Sequence, residues 1–482
     1  MNTKIYNIPI IARGRIIEPG DDAIEFGGRV GARFRCPNPL NHINDLLLSR
    51  GSDLQDLYDT PIDEILDFLA ALGPRLSLDN PYMKEAFDLC LEAGQLTESV
   101  LIPIYQQAQA MFDRKRMEEQ IDANIGKNYL DGWVEQGQPG NSHIRIRAVG
   151  TRQVHVIAGN IPMTAALTVI HSALTKGDSL VKLPSNDPLT TSAIVRTMIE
   201  MDPNHPVAKH FAVAYWKGGD EVLERQLFHP ARVERITAWG GMSSMTHIQK
   251  YLVPGIELIP MNPKLSISIV GNEALQSEAA MDDVAMGIAF MAGHMNQTAC
   301  SSTRVVYVEC DESDEQLDKL VQLGAKITAS FSKLPDSVST PAKVVNAELE
   351  ADMEALSLDD TFYSVTGDTI YGGAVVSKMS EPVEFAEQLN NRVVNLVPMP
   401  DINQVATKVS EETQTVGIYP ERLQVQLRDK LTLNGVQRMI PLGMSSIPEG
   451  MDPKELRRMP HDGGEPVCRA VRWIADQSAQ GQ

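Results

Sequence analysis

Cys300 lies in the string Met295-Asn296-Gln297-Thr298-Ala299-Cys300-Ser301-Ser302-Thr303-Arg304, after an apolar helical stretch and before Val305-Val306-Tyr307-Val308, which reads as a strand. A thiol at a helix-to-strand turn among small residues can be approached closely. Backbone N–H groups at such a turn can stabilise a thiolate, or an oxyanion on a substrate. Upstream, Val156-Ile157-Ala158-Gly159-Asn160-Ile161-Pro162 reads as a strand running into a Gly-Asn turn and then a helix. Asn160 is placed either to offer its amide as a second oxyanion donor or to cap the helix that follows. The pair points to acyl chemistry on a cysteine.

The elements around these residues alternate. Gln153–Ala158 reads as a strand, 163–176 as a helix ending at Lys176-Gly177, Ser179–Leu183 as a strand and 188–200 as a helix started by Pro188. Phe211–Tyr215 and Val233–Trp239 are further strands, each followed by a helix, from Gly219 and after Gly240-Gly241. This βα alternation predicts a doubly wound parallel sheet, which binds ligands at the carboxyl ends of its strands. A second α/β segment begins at Leu265–Val270 and runs through a helix over 275–293, the Cys300 turn, a strand over 303–308 and a helix over 313–332. Ala374–Lys378, Arg392–Pro398 and Thr415–Tyr419 read as strands. Residues 1–40 read as short strands and turns, 53–72 and 83–130 as helices, 137–142 as a loop, and Gln477–Gln482 as frayed.

At 482 residues the chain is long enough for two or three domains. A net charge of −20 argues against a nucleic-acid or anionic-membrane partner. Five cysteines at scattered spacing, with no CxxC, indicate neither zinc nor a disulfide framework and suit a reducing cytoplasm. No run of 18 apolar residues predicts a membrane span, and no leader-like segment opens the chain. No GxGxxG follows the first strand of the sheet; Gly240-Gly241 is a shorter turn through which a phosphate could reach a helix N-terminus.

The ordered strings Gly159-Asn160-Ile161-Pro162, Ala173 to Asp178, Val181 to Pro188, Trp239-Gly240-Gly241, Asn262-Pro263-Lys264 and the Cys300 segment resemble the aldehyde dehydrogenase superfamily. More narrowly, Asp202 to Val207, Val213 to Trp216, Ala238 to Gly241, Ala299 to Thr303, Thr413-Gln414-Thr415 and His461-Asp462-Gly463 resemble the long-chain acyl-CoA (acyl-protein thioester) reductase family of bacterial bioluminescence. The resemblance covers about 150–480. It implies an α/β, aldehyde dehydrogenase-like fold: a doubly wound Rossmann-type cofactor domain plus a second α/β catalytic domain. The expected organisation is an N-terminal segment and dinucleotide-binding domain over 1–262 (legible as α/β over 151–262), a catalytic thiol domain over 263–440, and a C-terminal segment over 441–482 that closes the active site.

By the same resemblance Cys300 falls on the nucleophile and Asn160 on the oxyanion asparagine. Lys182 falls on the lysine of the adenosine ribose, and Trp239, Gly240 and Gly241 on the pyrophosphate turn. Gln388 falls about where a nicotinamide-ribose glutamate lies, with a surface glutamine as the alternative. Two departures carry more. Acid-forming members have a glutamate that activates water; here the matching string is Pro260-Met261-Asn262-Pro263-Lys264, and Glu257 lies just upstream. The acyl-enzyme should therefore resist water and favour thioester chemistry. Second, Ser185 stands where NAD-preferring members carry a carboxylate, which tilts the cofactor to NADPH.

The expected activity is reduction of a fatty acyl-CoA or acyl-protein thioester to aldehyde. The alternatives are aldehyde oxidation and a non-catalytic subunit role. An acyl-protein synthetase or transferase subunit is a candidate partner, and a homo-oligomer is the expected assembly. His171 reads as a packing histidine, while His294 is either a helix-end cap or a group that lowers the Cys300 pKa. Met281, Met286, Met291 and Met295 read as core or as the lining of an acyl tunnel.

Overall fold

The computed structural model describes residues 4–27, 31–136, 142–444 and 464–479. They fall into two compact units, one within 1–94, 104–262 and 452–482, the other within 95–103 and 263–451. Among the described residues no helix is long and apolar enough to cross a membrane.

The first unit is built on a seven-stranded sheet in the order Glu257–Met261, Arg235–Trp239, Arg152–Val156, Asp178–Lys182, Phe211–Ala214, Ile10–Ala12, Arg15–Ile17. The first five are parallel and the last two antiparallel. The parallel strands read as short apolar runs, as strands covered on both faces must; Val154, Leu180, Ala212 and Ile236 are fully buried in one core. The chain begins the parallel part in the middle, at Arg152–Val156. It steps outward to Phe211–Ala214, then returns to the other side of its first strand for Arg235–Trp239. That reversal is the topological switch point where open α/β sheets bind ligands. The turn carrying Asn160 and the turn Gly240-Gly241 both leave the sheet there, after Val156 and Trp239.

Within 1–40, expected as short strands and turns, Ile10–Ala12 and Arg15–Ile17 form a hairpin on the edge of this sheet. Arg13 and Gly14 have φ of 54° and 72°, as a two-residue hairpin loop requires. Arg13 docks the loop by a two-pronged ion pair with Asp178, which is 1% exposed and also meets His210 Nδ1 at 2.9 Å. Such pairings depend on distant residues and leave no local pattern.

Three further differences have local causes. The helix expected from Pro188 runs Thr190–Met201, with Leu189 as its N-cap and Asp187 Oδ1 accepting from Thr190 N at 3.1 Å. After the helix Met163–Leu174 the left-handed residue is Lys176 (φ 50°), not Gly177, and its ammonium is buried against Asp131 Oδ1 at 2.8 Å. The C-terminal strand Val471–Ala479 pairs antiparallel with Ser142–Gly150 along its whole length, in a three-stranded sheet completed by Val134–Gln136. The chain is therefore ordered at 477–479, where fraying was expected. His461-Asp462-Gly463 lies outside the described residues.

The second unit holds another seven-stranded sheet, ordered Tyr363–Asp368, Gly372–Ser377, Val393–Pro398, Thr303–Val308, Leu265–Val270, Thr413–Tyr419, Arg438–Pro441. Only the first pair is antiparallel. The helices Glu278–Gly293 and Asp314–Phe331 pack on one face through Ile288, Ala289, Leu323 and Ile327. Glu421–Leu433 packs on the other through Leu423, Leu427 and Leu431.

Candidate active site: a cysteine turn and a nucleotide-binding edge

In the second unit, Glu278–Gly293 is capped at its start by Ser277, whose Oγ accepts from Ala280 N at 3.2 Å. Beyond its end the chain passes through Met295, Asn296 and Gln297, with φ of 51°, 50° and 64°. Three successive non-glycine residues in the left-handed region cost roughly 1–2 kcal/mol each, so other contacts must hold them. Two buried amides do so. Asn296 Oδ1 accepts from Thr340 N (2.9 Å) and Ser339 Oγ (3.1 Å). Gln297 Nε2 donates to the carbonyls of Thr303 (2.8 Å) and Val393 (2.9 Å), and its Oε1 accepts from Val393 N (3.0 Å).

The turn is fixed to the amino ends of the strands. Ser266 Oγ donates to the Cys300 carbonyl at 2.7 Å and accepts from Thr415 N at 3.1 Å. Cys300 is half-buried. Burial pushes the thiols of Cys36 and Cys310 up to about 12 and raises that of Cys90. Cys468 donates to the Asn124 carbonyl at 2.6 Å. Cys36, Cys90 and Cys310 are buried and Cys300 and Cys468 half-buried; Cys300, on its clamped turn, is the candidate nucleophile.

Arg304 shares the electrostatic environment of this thiol: burial lowers its pKa and Cys300 opposes that shift. Its Nε donates to the Leu389 carbonyl at 3.0 Å, while Nη1 is buried with no hydrogen-bond partner. Leu389 directly follows the turn Ala386–Gln388, in which Ala386 is buried and Gln388 exposed, so the Gln388 turn is tied to the strand after Cys300. His294 ends the preceding helix, and burial lowers its pKa, which keeps the imidazole neutral near pH 7. A neutral ring supplies no charge to the thiol. The methionines are packing residues: Met281 lies in the sheet-helix core with Met286 against it, and Met291 and Met295 are buried.

In the first unit, Asn160 is exposed on its turn, and the N-cap of Met163–Leu174 is Pro162 rather than Asn160. Gly159 is required by a close approach: a Cβ there would lie 2.4 Å from Asn186 Oδ1 and 2.7 Å from Pro184 Cγ. Lys182 ends the strand Asp178–Lys182 with its ammonium 5.6 Å from the Trp216 ring centre and 5.9 Å from that of Tyr215. Burial pushes its pKa down to about 8, against the pull of Glu224.

Lys182 faces a cavity of about 260 Å³ lined also by Gly218, Glu224, Ser244 and His247. Glu224, 2% exposed, accepts from Trp216 Nε1 (3.1 Å), Gly219 N (3.4 Å) and Tyr251 Oη (3.1 Å), and meets His247 Nε2 at 2.6 Å. Its oxygens are filled by protein donors, so it shapes the cavity rather than serving as a ligand. Ser185 is half-buried, three residues beyond Lys182. Trp239 is half-buried and packs on Ile259, Met261 and Ala470, and Gly240-Gly241 leads into the helix Met242–Gln249. Glu257 is held by Arg469 Nη2 (3.0 Å) and Arg235 Nε (3.3 Å). Sequence reading missed Glu224, Asn296, Gln297 and Ser266; only Asn296-Gln297, polar amides beside the thiol, left a signal.

The Lys182 shift has a measurable consequence. An anionic ligand group needs the ammonium form, which predominates below the free-protein pKa of about 8 and is lost above it. Affinity for a phosphate-bearing nucleotide at this cavity should be flat below pH 8 and fall about tenfold per unit above it. Titration calorimetry across pH 6.5–9.5 checks this, and Lys182→Met should remove the dependence.

Solved structures share this architecture. The NADP-dependent glyceraldehyde-3-phosphate dehydrogenase of Bacillus halodurans C-125, complexed with NADP, has a TM-score of 0.71 at 15% identity, covering 99% of this chain and 100% of that one. An aldehyde dehydrogenase from Brucella melitensis biovar abortus 2308 has a TM-score of 0.72 at 13% identity, covering 98% of each chain. The fold is thus that of the aldehyde dehydrogenases. Among curated relatives, the long-chain acyl-protein thioester reductase of Photorhabdus luminescens is 26% identical over 488 residues, 99% of this chain and 94% of that protein. That of Aliivibrio fischeri is 26% identical over 420 residues, 85% and 82%. With the family model described as Acyl-CoA reductase (LuxC) matching residues 57–473, a span that holds the Asn160 turn, the Lys182 cavity and the Cys300 turn, the chain belongs to the LuxC acyl-CoA reductase family.

Proposed function

We propose that the protein is an NADPH-dependent reductase that converts a long-chain acyl thioester, carried on CoA or on a protein, to the fatty aldehyde. The observation that carries this reading is Cys300 on its clamped turn, the half-buried thiol of a family of acyl-CoA reductases. Its thiolate attacks the thioester carbonyl and expels the donor thiol, giving a Cys300 thioester. Asn160 and the Cys300 N–H are assigned to the oxyanion. A nicotinamide cofactor, when bound, would supply hydride to the acyl carbon of the Cys300 thioester; the carbon–sulfur bond then breaks, releasing the aldehyde and the Cys300 thiolate.

The first-unit residues fit a nucleotide. Lys182 is a cation at a strand end beside a cavity, and Gly240-Gly241 opens a helix at the switch point. Lys182 would hold the ribose and its phosphate, and Ser185 would donate to a 2′-phosphate that a carboxylate would repel. Steady-state turnover of a long-chain acyl-CoA with NADPH and with NADH, with the product identified as aldehyde, tests the reading. The kcat/KM should be higher for NADPH, and Ser185→Glu should shift the ratio toward NADH by about 10² through lost hydrogen bonds to a charged phosphate. A wild-type preference for NADH would refute the cofactor assignment, and acid in place of aldehyde would refute the reaction.

A further inference from the structure

Asp187 is buried and used by no step above. It is 3% exposed. Its Oδ1 accepts from Thr190 Oγ1 at 2.6 Å and from Thr190 N at 3.1 Å. Tyr105 Oη lies 2.8 Å from Thr190 Oγ1, and because that hydroxyl donates to Asp187 it must accept from the tyrosine. Cys90 Sγ stands 3.8 Å from the same oxygen. Among the described residues no cation pairs with Asp187, and burial raises its pKa. A carboxylate buried among neutral donors is costly. A plain helix start could use an exposed serine or aspartate at much lower cost.

The loop that Asp187 anchors is Leu183 to Pro188, which follows Lys182 and carries Ser185. The same loop is pressed against Gly159, with Asn186 Oδ1 and Pro184 Cγ in the space a Cβ would need. Cys90 of the helix Pro81–Ala93 and Tyr105 therefore converge on the Thr190 hydroxyl, which passes the contact to the carboxylate at the root of a loop that backs the Asn160 turn.

We infer that Asp187 is a positioning residue: through Thr190, Cys90 and Tyr105 it sets the loop that presents Ser185 to the cofactor and seats that loop behind Asn160. This rests on the nucleotide-binding reading above. The effect should fall on cofactor binding and spare the attack of Cys300 on the thioester.

The test uses the full chain with Asp187→Asn, Thr190→Val and Thr190→Ser. Thr190→Val removes the donor hydroxyl at constant shape, and Thr190→Ser restores it. Losing a hydrogen bond to a charged group predicts an NADPH Kd and KM raised roughly tenfold to a hundredfold in Thr190→Val. In that variant kcat and the rate of Cys300 acylation by acyl-CoA without cofactor should be unchanged, and Thr190→Ser should recover the wild-type Kd. Asp187→Asn should act in the same direction; if it does not fold, the Thr190 pair decides. A folded Thr190→Val that binds NADPH as the wild type does overturns the inference, as does a loss equal in acylation and in binding. A wild-type protein that binds neither NADPH nor NADH overturns the nucleotide reading, and this inference with it.

Discussion

Cys300→Ala is expected to abolish both the acyl adduct and turnover while leaving the fold in place. The thiol is the only part of the residue removed. The turn is held by the Cys300 carbonyl on Ser266 and by the amides of Asn296 and Gln297, none of which depends on sulfur. Removing a covalent nucleophile should cost on the order of 10⁴-fold or more in kcat. Intact mass after incubation with a long-chain acyl-CoA should show one added acyl group on the wild type and none on the variant, at matching melting temperatures. An adduct of wild-type yield on Cys300→Ala would move the nucleophile elsewhere and end the proposed mechanism.

The acyl-enzyme should persist in water until NADPH arrives. The segment Pro260-Met261-Asn262-Pro263 offers no general base, and the carboxylate just upstream, Glu257, is tied to Arg469 and Arg235. General-base assistance is typically worth roughly 10²–10⁴-fold, so its absence lengthens the lifetime by that order. The measurement forms the adduct, removes excess donor and follows the mass in buffer alone, with added thiol, and with NADPH. Slow decay in buffer and rapid loss with aldehyde on adding NADPH is the expected pattern. Rapid decay in buffer would place the protein among acid-forming enzymes, with Glu257→Gln as the next variant to measure.

Much of the fold was legible because parallel α/β units write themselves locally. Apolar runs such as Ser179–Leu183 and Phe211–Tyr215 alternate with helical spacing, and each need be read only against its neighbours. Illegible parts were those fixed by distant partners. The hairpin of residues 10–17 depends on Asp178, and the strand Val471–Ala479 depends on Ser142–Gly150. Even there a trace was present, since Ile144, Ile146 and Ala148 alternate with His143, Arg145 and Arg147 at the period of a strand. At the site, Cys300, Asn160 and Lys182 could be proposed from their strings. Ser266 could not, since nothing in its own neighbourhood foretells a bond to Cys300; Gln297 left only its place beside the thiol, with no sign of its bond to Val393, and a buried Glu224 has no signature apart from its donors.

The left-handed run before Cys300 also bears on biosynthesis. Gln297 is locked by the backbone of Val393, and Asn296 by Ser339 and Thr340; Ser266 is completed by Thr415. All four partners are translated well after the cysteine. A nascent chain that has just released Cys300 from the ribosome therefore lacks the contacts that hold its turn in an unfavourable backbone conformation. The Cys300 turn acquires its full set of contacts only once the strand beginning at Thr413 has left the ribosome and paired, so an incomplete chain carries the thiol without the clamp that holds it.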